Sequence, residues 1–192
     1  MSDTKIETQR HDAGVEANAR LTASTGVVLL VLLAAEGVTL LSLGSLLRWH
    51  EIIGVLVIPP ILLKLGTTGY RFVRYYTHDP RYRRKGPPHW VLRLTAPGMV
   101  ALTVTLLVSG VLLGLDHHRR GVLFFVHKAS FILWFAAMTV HVLGHVVESA
   151  TVGLADWRPG AARLSGANVR RALLVGSLVA GGLLAAALAS RF

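Results

Sequence analysis

Five uninterrupted apolar runs constrain this chain more than any other feature. They cover approximately residues 24–47, 51–70, 91–115, 121–147 and 172–190. Each is about 20 residues long, enough for a helix to cross roughly 30 Å of hydrocarbon. The runs are continuous rather than alternating, and a helix satisfies its own backbone hydrogen bonds in lipid. The expected fold is therefore all-α, an integral membrane helical bundle. Residues 1–23 mix Asp3, Glu7, Asp12 and Glu16 with Lys5, Arg10 and Arg20 and read as a polar, poorly ordered tail. They lack the basic-then-apolar-then-small order of a cleaved signal, so the first run reads as a retained span.

Composition narrows the class. The 192 residues suit a single domain, with 53% apolar residues, 16% charged residues and a formal net charge of +10. There is no cysteine, which excludes a disulfide scaffold, an iron–sulfur protein, a thiol enzyme and a Cys-based zinc site. A basic balance commonly suggests nucleic acid. Mean hydropathy of +0.54 argues against a soluble binder of that kind.

The position of the basic residues gives a better account. Arg71, Arg74, Arg81, Arg83, Arg84, Lys85 and Arg93 follow the second run, and Arg158, Arg163, Arg170 and Arg171 follow the fourth. The first connection, with Arg48 and Glu51, and the third, with Asp116, Arg119 and Arg120, are short. The positive-inside rule makes both Arg-rich connections cytoplasmic. The N-terminus is then inside, the C-terminus outside, and the second and fourth runs both start at the outer face. No nucleic-acid partner is needed to explain the charge; the partner it implies is membrane lipid.

Ionisable side chains inside spans are expensive and mark function. They are Glu36, His50 at a span boundary, Lys64, His127, Lys128, His141 and His145. His11, His78, His89, His117 and His118 read as solvated tail or loop residues. Fourteen residues at about 100° each leave His127 and His141 roughly 40° apart on one helix face and about 21 Å apart along its axis. His145, five turns from His127, shares that face. One ion cannot be held by both His127 and His141, but two stacked sites can. His50 lies at the depth of His127 on another helix, and a histidine from each of two helices is what a bis-histidine haem requires. Gly54, one turn below His50, leaves room for a flat macrocycle. Arg48, Lys128, Arg119 and Arg120 share that end, where haem propionates favour basic partners. Histidines that only hydrogen-bond between helices are the plain alternative. A zinc site from His141 and His145 has suitable spacing but no obvious third ligand.

At these residues the chain resembles the bacterial cytochrome b561 family and related transmembrane haem-b subunits of respiratory enzymes. The likeness rests on His50, Gly54 and the basic Lys64, and on His127, His141 and His145. It covers residues 24–148. It implies a four-helix haem-binding core over that stretch. The linker at 149–171, cytoplasmic by its charge, and a fifth transmembrane helix at 172–192 are extra to that core. The resemblance further implies a multi-pass protein of the bacterial inner (plasma) membrane that passes electrons between quinone and a redox partner subunit. His50 and His127 are then axial ligands of an outer haem b. In the family an inner haem pairs the equivalent of His141 with a histidine at the cytoplasmic start of the first span. Here that stretch reads EANARLTASTG and has none, so one haem is expected, with two requiring His11, His89 or another group as the replacement ligand.

Other expectations concern the remaining features. The Gly- and Ala-rich fifth run allows close helix approach, either onto the core or in a homodimer. Pro59 and Pro60 should kink the second span. Glu36, placed near mid-membrane, either pairs with Lys64 or relays protons, while Lys64 alternatively snorkels to the cytoplasmic surface. Two rival functions remain: a cofactor-free membrane anchor of a redox complex, and an ion or metal transporter using Glu36, Lys64, His141 and His145.

Overall fold

A computed structural model of the protein describes residues 2–84, 86, 90–116, 121–157 and 164–191. Seven helices account for nearly all of them: α1 Ser2–Leu40, α2 Leu43–Leu56, α3 Ile58–Tyr76, α4 Pro80–Arg84, α5 Trp90–Leu115, α6 Val122–Gly153 and α7 Ala167–Leu188. No strand occurs among the described residues. Five stretches are long and apolar enough to span a membrane: Ala13–Leu40, Leu43–Tyr76, Leu94–Leu115, Val122–His145 and Ala167–Leu188. The chain is an all-α, multi-pass membrane bundle. Large apolar side chains such as Phe125, Leu133, Leu143 and Leu183 are exposed on its outside, as hydrocarbon-facing residues must be.

Two boundaries differ from the sequence reading. The first concerns the N-terminus, where residues expected to form a loose tail are helical from Ser2 onward. Glu, Lys, Arg, Gln and Ala are strong helix formers, and α1 propagates backward from a packed span. Arg20 reaches Glu16 one turn earlier at 2.7 Å, and the Asn18 amide donates to the Thr67 carbonyl on α3 at 3.1 Å.

The second difference is the first reversal. It falls at Leu41–Ser42, not near Arg48, which lies inside α2. Small polar residues make this turn: the Ser42 and Ser45 hydroxyls meet at 2.8 Å, and the Leu46 amide donates to the Ser42 carbonyl at 2.9 Å. Leucines on both sides disguise the turn as continuous span. The shift has a consequence for depth. His50 moves from the boundary to about two turns inside its span, and Glu36 moves from mid-membrane to about one turn from the end of α1.

The second span breaks at Val57, between α2 and α3, as the Pro59–Pro60 pair dictates. Neither proline has an amide hydrogen, so the Leu56 carbonyl loses its donors at both i+3 and i+4. Helix α7 passes directly over this break. A side chain at Gly181 would collide with the Leu56 carbonyl oxygen, so only hydrogen fits there. The glycine thus offers a weak Cα–H···O contact to the carbonyl that the prolines strip.

Helix α1 is central, packing on α2, α3, α6 and α7, while α5 pairs mainly with α6. A small apolar core of Leu29, Val57 and Ile61 joins α1 to the broken span, flanked by Leu33, Leu65 and Leu107. The α5–α6 pair is fastened by the Trp134 indole, which donates to the Thr103 hydroxyl at 2.9 Å. At Gly153, α6 comes so close to α1 that a Cβ would stand 3.0 Å from the Ala23 backbone, and the Ser24 hydroxyl donates to the Gly153 carbonyl at 2.6 Å.

Candidate functional site

The fold brings His50 of α2 and His127 of α6 together. Their ring centroids are 6.5 Å apart and their planes cross at 79°. Both residues sit about two turns or less from the helix starts at the same end of the bundle, so the depth match follows from the two reversals.

Each ring is held through Nδ1. His50 Nδ1 lies 2.8 Å from Glu36 Oε1 and 3.1 Å from Thr39 Oγ1. The Thr39 hydroxyl donates its own hydrogen to the Glu36 carbonyl at 2.5 Å. Both groups facing Nδ1 are therefore acceptors, which makes Nδ1 the protonated nitrogen. His127 is arranged alike. Its Nδ1 lies 3.0 Å from Ser109 Oγ, whose hydrogen is directed to the Leu106 carbonyl at 3.1 Å. Network assignment thus gives both rings the Nδ1–H tautomer, leaving each Nε2 with its lone pair. That is the form in which imidazole binds a metal, with the opposite N–H anchored by a carboxylate, a hydroxyl or a carbonyl.

Two glycines shape the surroundings. The ring of His127 lies over Gly110 of α5, where a Cβ would stand 3.0 Å from Cε1. Gly54 faces Glu36, with Oε1 3.4 Å from where its Cβ would be. The space at Gly54 thus admits the carboxylate that anchors His50. Sequence reasoning missed Glu36, Thr39, Ser109 and Gly110 as parts of this site. One signal was available: Glu36 and Thr39 are three residues apart, on one helix face, and Ser109–Gly110 is a small polar step in an apolar run.

Arg48 and Lys128 are exposed. Two residues and one residue along their helices from the histidines, they project about 200° and 100° away from the imidazole faces. Arg119 and Arg120 lie outside the described residues.

The other end of the bundle is built differently. His141 and His145 pack against one another with centroids 4.9 Å apart. Lys64 is close enough to act on His141 electrostatically. Its ammonium donates to the Thr22 carbonyl at 2.7 Å, crossing α1 where Gly26 makes room. Glu36 pairs with His50, not with Lys64. Of the alternative inner ligands, His89 lies outside the described residues, as does the His11 side chain. No group of three or more His, Asp or Glu arranged to hold a metal ion occurs among the described residues.

Nearby, an ionic cluster closes this end. Asp156 accepts from Arg170 Nε at 2.5 Å and Nη2 at 2.8 Å, and from Arg20 Nη1 at 3.1 Å. The Asp156 carbonyl accepts from Arg171, whose guanidinium also lies over the Trp157 ring. Asp156 and Arg170 are only 4% and 7% exposed, so this is a buried ion pair. Hydrogen bonds from Arg170, then from Arg20, hold the Asp156 carboxyl below its ordinary value against the opposing effect of burial. The cluster ties α1, the end of α6 and the start of α7 together. Arg170, read from the sequence as a loop charge setting topology, is thus a structural residue.

No family model, curated protein or solved structure matches the chain.

Proposed function

We propose that the protein is a membrane b-type cytochrome that passes electrons between the quinone pool and a redox partner. In this reading His50 and His127 hold one haem b near the outer face of the bacterial inner membrane, with the N-terminus cytoplasmic. The observation that carries it is the His50–His127 pair, two imidazoles of the same tautomer with both Nδ1 atoms anchored. At 6.5 Å between centroids the two imidazoles are near enough that each would supply a nitrogen to one haem iron. A bound haem b supplies a one-electron carrier at this position.

The chain's own residues have three tasks. Glu36 with Thr39, and Ser109, fix the tautomer and orientation of the two rings. Gly110 lets the His127 ring lie close to α5. The apolar belt of the bundle excludes water and so favours a low-dielectric site. One haem is favoured over two because, among the described residues, the inner end offers His141 a neighbouring histidine on its own helix and a lysine ammonium, which cannot ligate iron.

The reading is tested by purifying the protein from cells supplied with haem and recording reduced-minus-oxidised spectra. Low-spin haem b bands at one haem per chain are expected; a colourless preparation sinks the proposal, and two haems per chain overturn the single site. The near-perpendicular rings add a second readout, a strongly anisotropic low-spin ferric resonance in place of the rhombic one given by parallel rings.

A second reading has a specific observation behind it. The same hydrogen bonds join α1 to α2 and α5 to α6, as interhelical polar contacts do in cofactor-free membrane anchors. Elemental analysis separates the two, since the anchor contains no iron.

A further inference from the structure

The two histidines have unequal partners. His127 gives its Nδ1 hydrogen to a neutral hydroxyl, Ser109, at 3.0 Å. His50 gives its own to a carboxylate, Glu36, at 2.8 Å. The second oxygen of that carboxylate, Oε2, is buried and has no hydrogen-bond partner among the described residues. Among the described residues no arginine, lysine or backbone amide hydrogen-bonds to it, and the bond to His50 is its one ion pair there. Such a placement inside a span is expensive, and pairing with Lys64 does not account for it.

We infer that Glu36 is a positioning residue that makes His50 the stronger donor of two unequal axial ligands and so lowers the redox potential of the site. The inference rests on the proposed His50–His127 ligation. Its chemistry is that of a carboxylate–histidine–metal triad: the anion draws the Nδ1 hydrogen outward and raises the basicity of Nε2. A more basic axial nitrogen favours the oxidised metal. No bond forms or breaks, and the Nδ1 proton stays on the ring. Thr39 supports the arrangement, because its hydroxyl hydrogen is committed to the Glu36 backbone and its oxygen can only accept.

The asymmetry gives a graded test on the purified, haem-loaded protein, read by optical redox titration and ferric resonance. Glu36→Gln keeps a hydrogen-bonding group of similar size and removes the charge. It is expected to keep its haem, shift the midpoint upward and alter the resonance. Ser109→Ala, which removes only a neutral acceptor from His127, is expected to shift the midpoint much less. A Glu36→Gln midpoint equal to wild type, or moved no further than that of Ser109→Ala, overturns the inference. Should Glu36→Gln lose its haem, Glu36→Asp decides the matter alone. It retains the charge but withdraws it by one methylene, and its midpoint is expected above wild type; an unchanged midpoint overturns the inference. Wild-type protein without haem counts against the proposed function instead, so the two failures are distinguishable.

Discussion

The two ends of this bundle treat a buried carboxylate in opposite ways. At one end Asp156 is saturated, with Arg170 on both oxygens, Arg20 on one, and Arg171 on its backbone carbonyl. At the other end, among the described residues, Glu36 has one donor, His50, and an oxygen with no partner. A saturated buried ion pair resists disruption because removing either member strands the other in a medium of low dielectric. An unsaturated one is poor glue but a strong local influence on whatever it touches. On the proposed ligation, the Asp156 end serves stability and the His50–His127 end chemistry.

The largest expected effect separates these roles at the chemical end. On the proposed ligation, His127→Ala should abolish the haem absorbance altogether. The unfolding free energy of the haem-free protein in detergent should change by only about 1 kcal/mol, the scale of one interhelical hydrogen bond in a membrane. A variant that keeps its haem bands breaks the comparison. Next comes Asp156→Asn, which strands a buried Arg170. Loss of about 3–5 kcal/mol is expected, with the absorbance spectrum of the folded fraction unmoved. Thermal unfolding followed by circular dichroism reads the first quantity, and a shifted spectrum breaks the division of labour.

Acidity probes the same pair. The folded Asp156 value lies below the ordinary 3.8 of the unfolded chain. The stability it lends is thus complete above about that value and is lost as pH falls through the depressed folded value. Wild-type protein should therefore show an acid-dependent loss of stability that Asp156→Asn largely lacks, as melting curves at descending pH would reveal.

A smaller effect is expected at the helix crossing. Gly181→Ala drives a methyl group into the Leu56 carbonyl and should destabilise by about 1–3 kcal/mol, the usual range for overpacking. The smallest belongs to Glu16→Gln. Its bond to Arg20 is one turn long and half exposed, at 52% for the Glu16 side chain, so about 0.3–0.5 kcal/mol is expected. Equal losses from Glu16→Gln and Asp156→Asn would show that saturation at this end is not what holds it.

Much of the architecture was legible because hydrocarbon thickness leaves few choices. Runs of about 20 apolar residues become helices, and the Pro59–Pro60 pair breaks the second span for covalent reasons. The depth match between His50 and His127 was legible for a related reason, since both follow reversals at the same end. What escaped notice depended on contacts between helices. The reversal at Leu41–Ser42 is flanked by leucines on both sides, so hydropathy does not mark it, and that misplacement carried Glu36 to mid-membrane and away from His50. The Asp156–Arg170 pair joins residues on either side of a loop, where charge pattern reads only as topology. The helical start of α1 was hidden because mixed charges in isolation resemble a solvated tail.

The crossing of α7 over the Val57 break also says something about the order in which the protein is made. Chains are synthesised from the N-terminus, so α2 and α3 exist before α7. Until then the Leu56 carbonyl, stripped of donors by two prolines, faces either lipid or a temporary partner, a state that costs several kcal/mol in hydrocarbon. The glycine face of α7 ends that exposure. Of the five spans described, the latest to be synthesised is therefore the one that seals the second, and a chain truncated before it should be held by the insertion machinery rather than released into the bilayer.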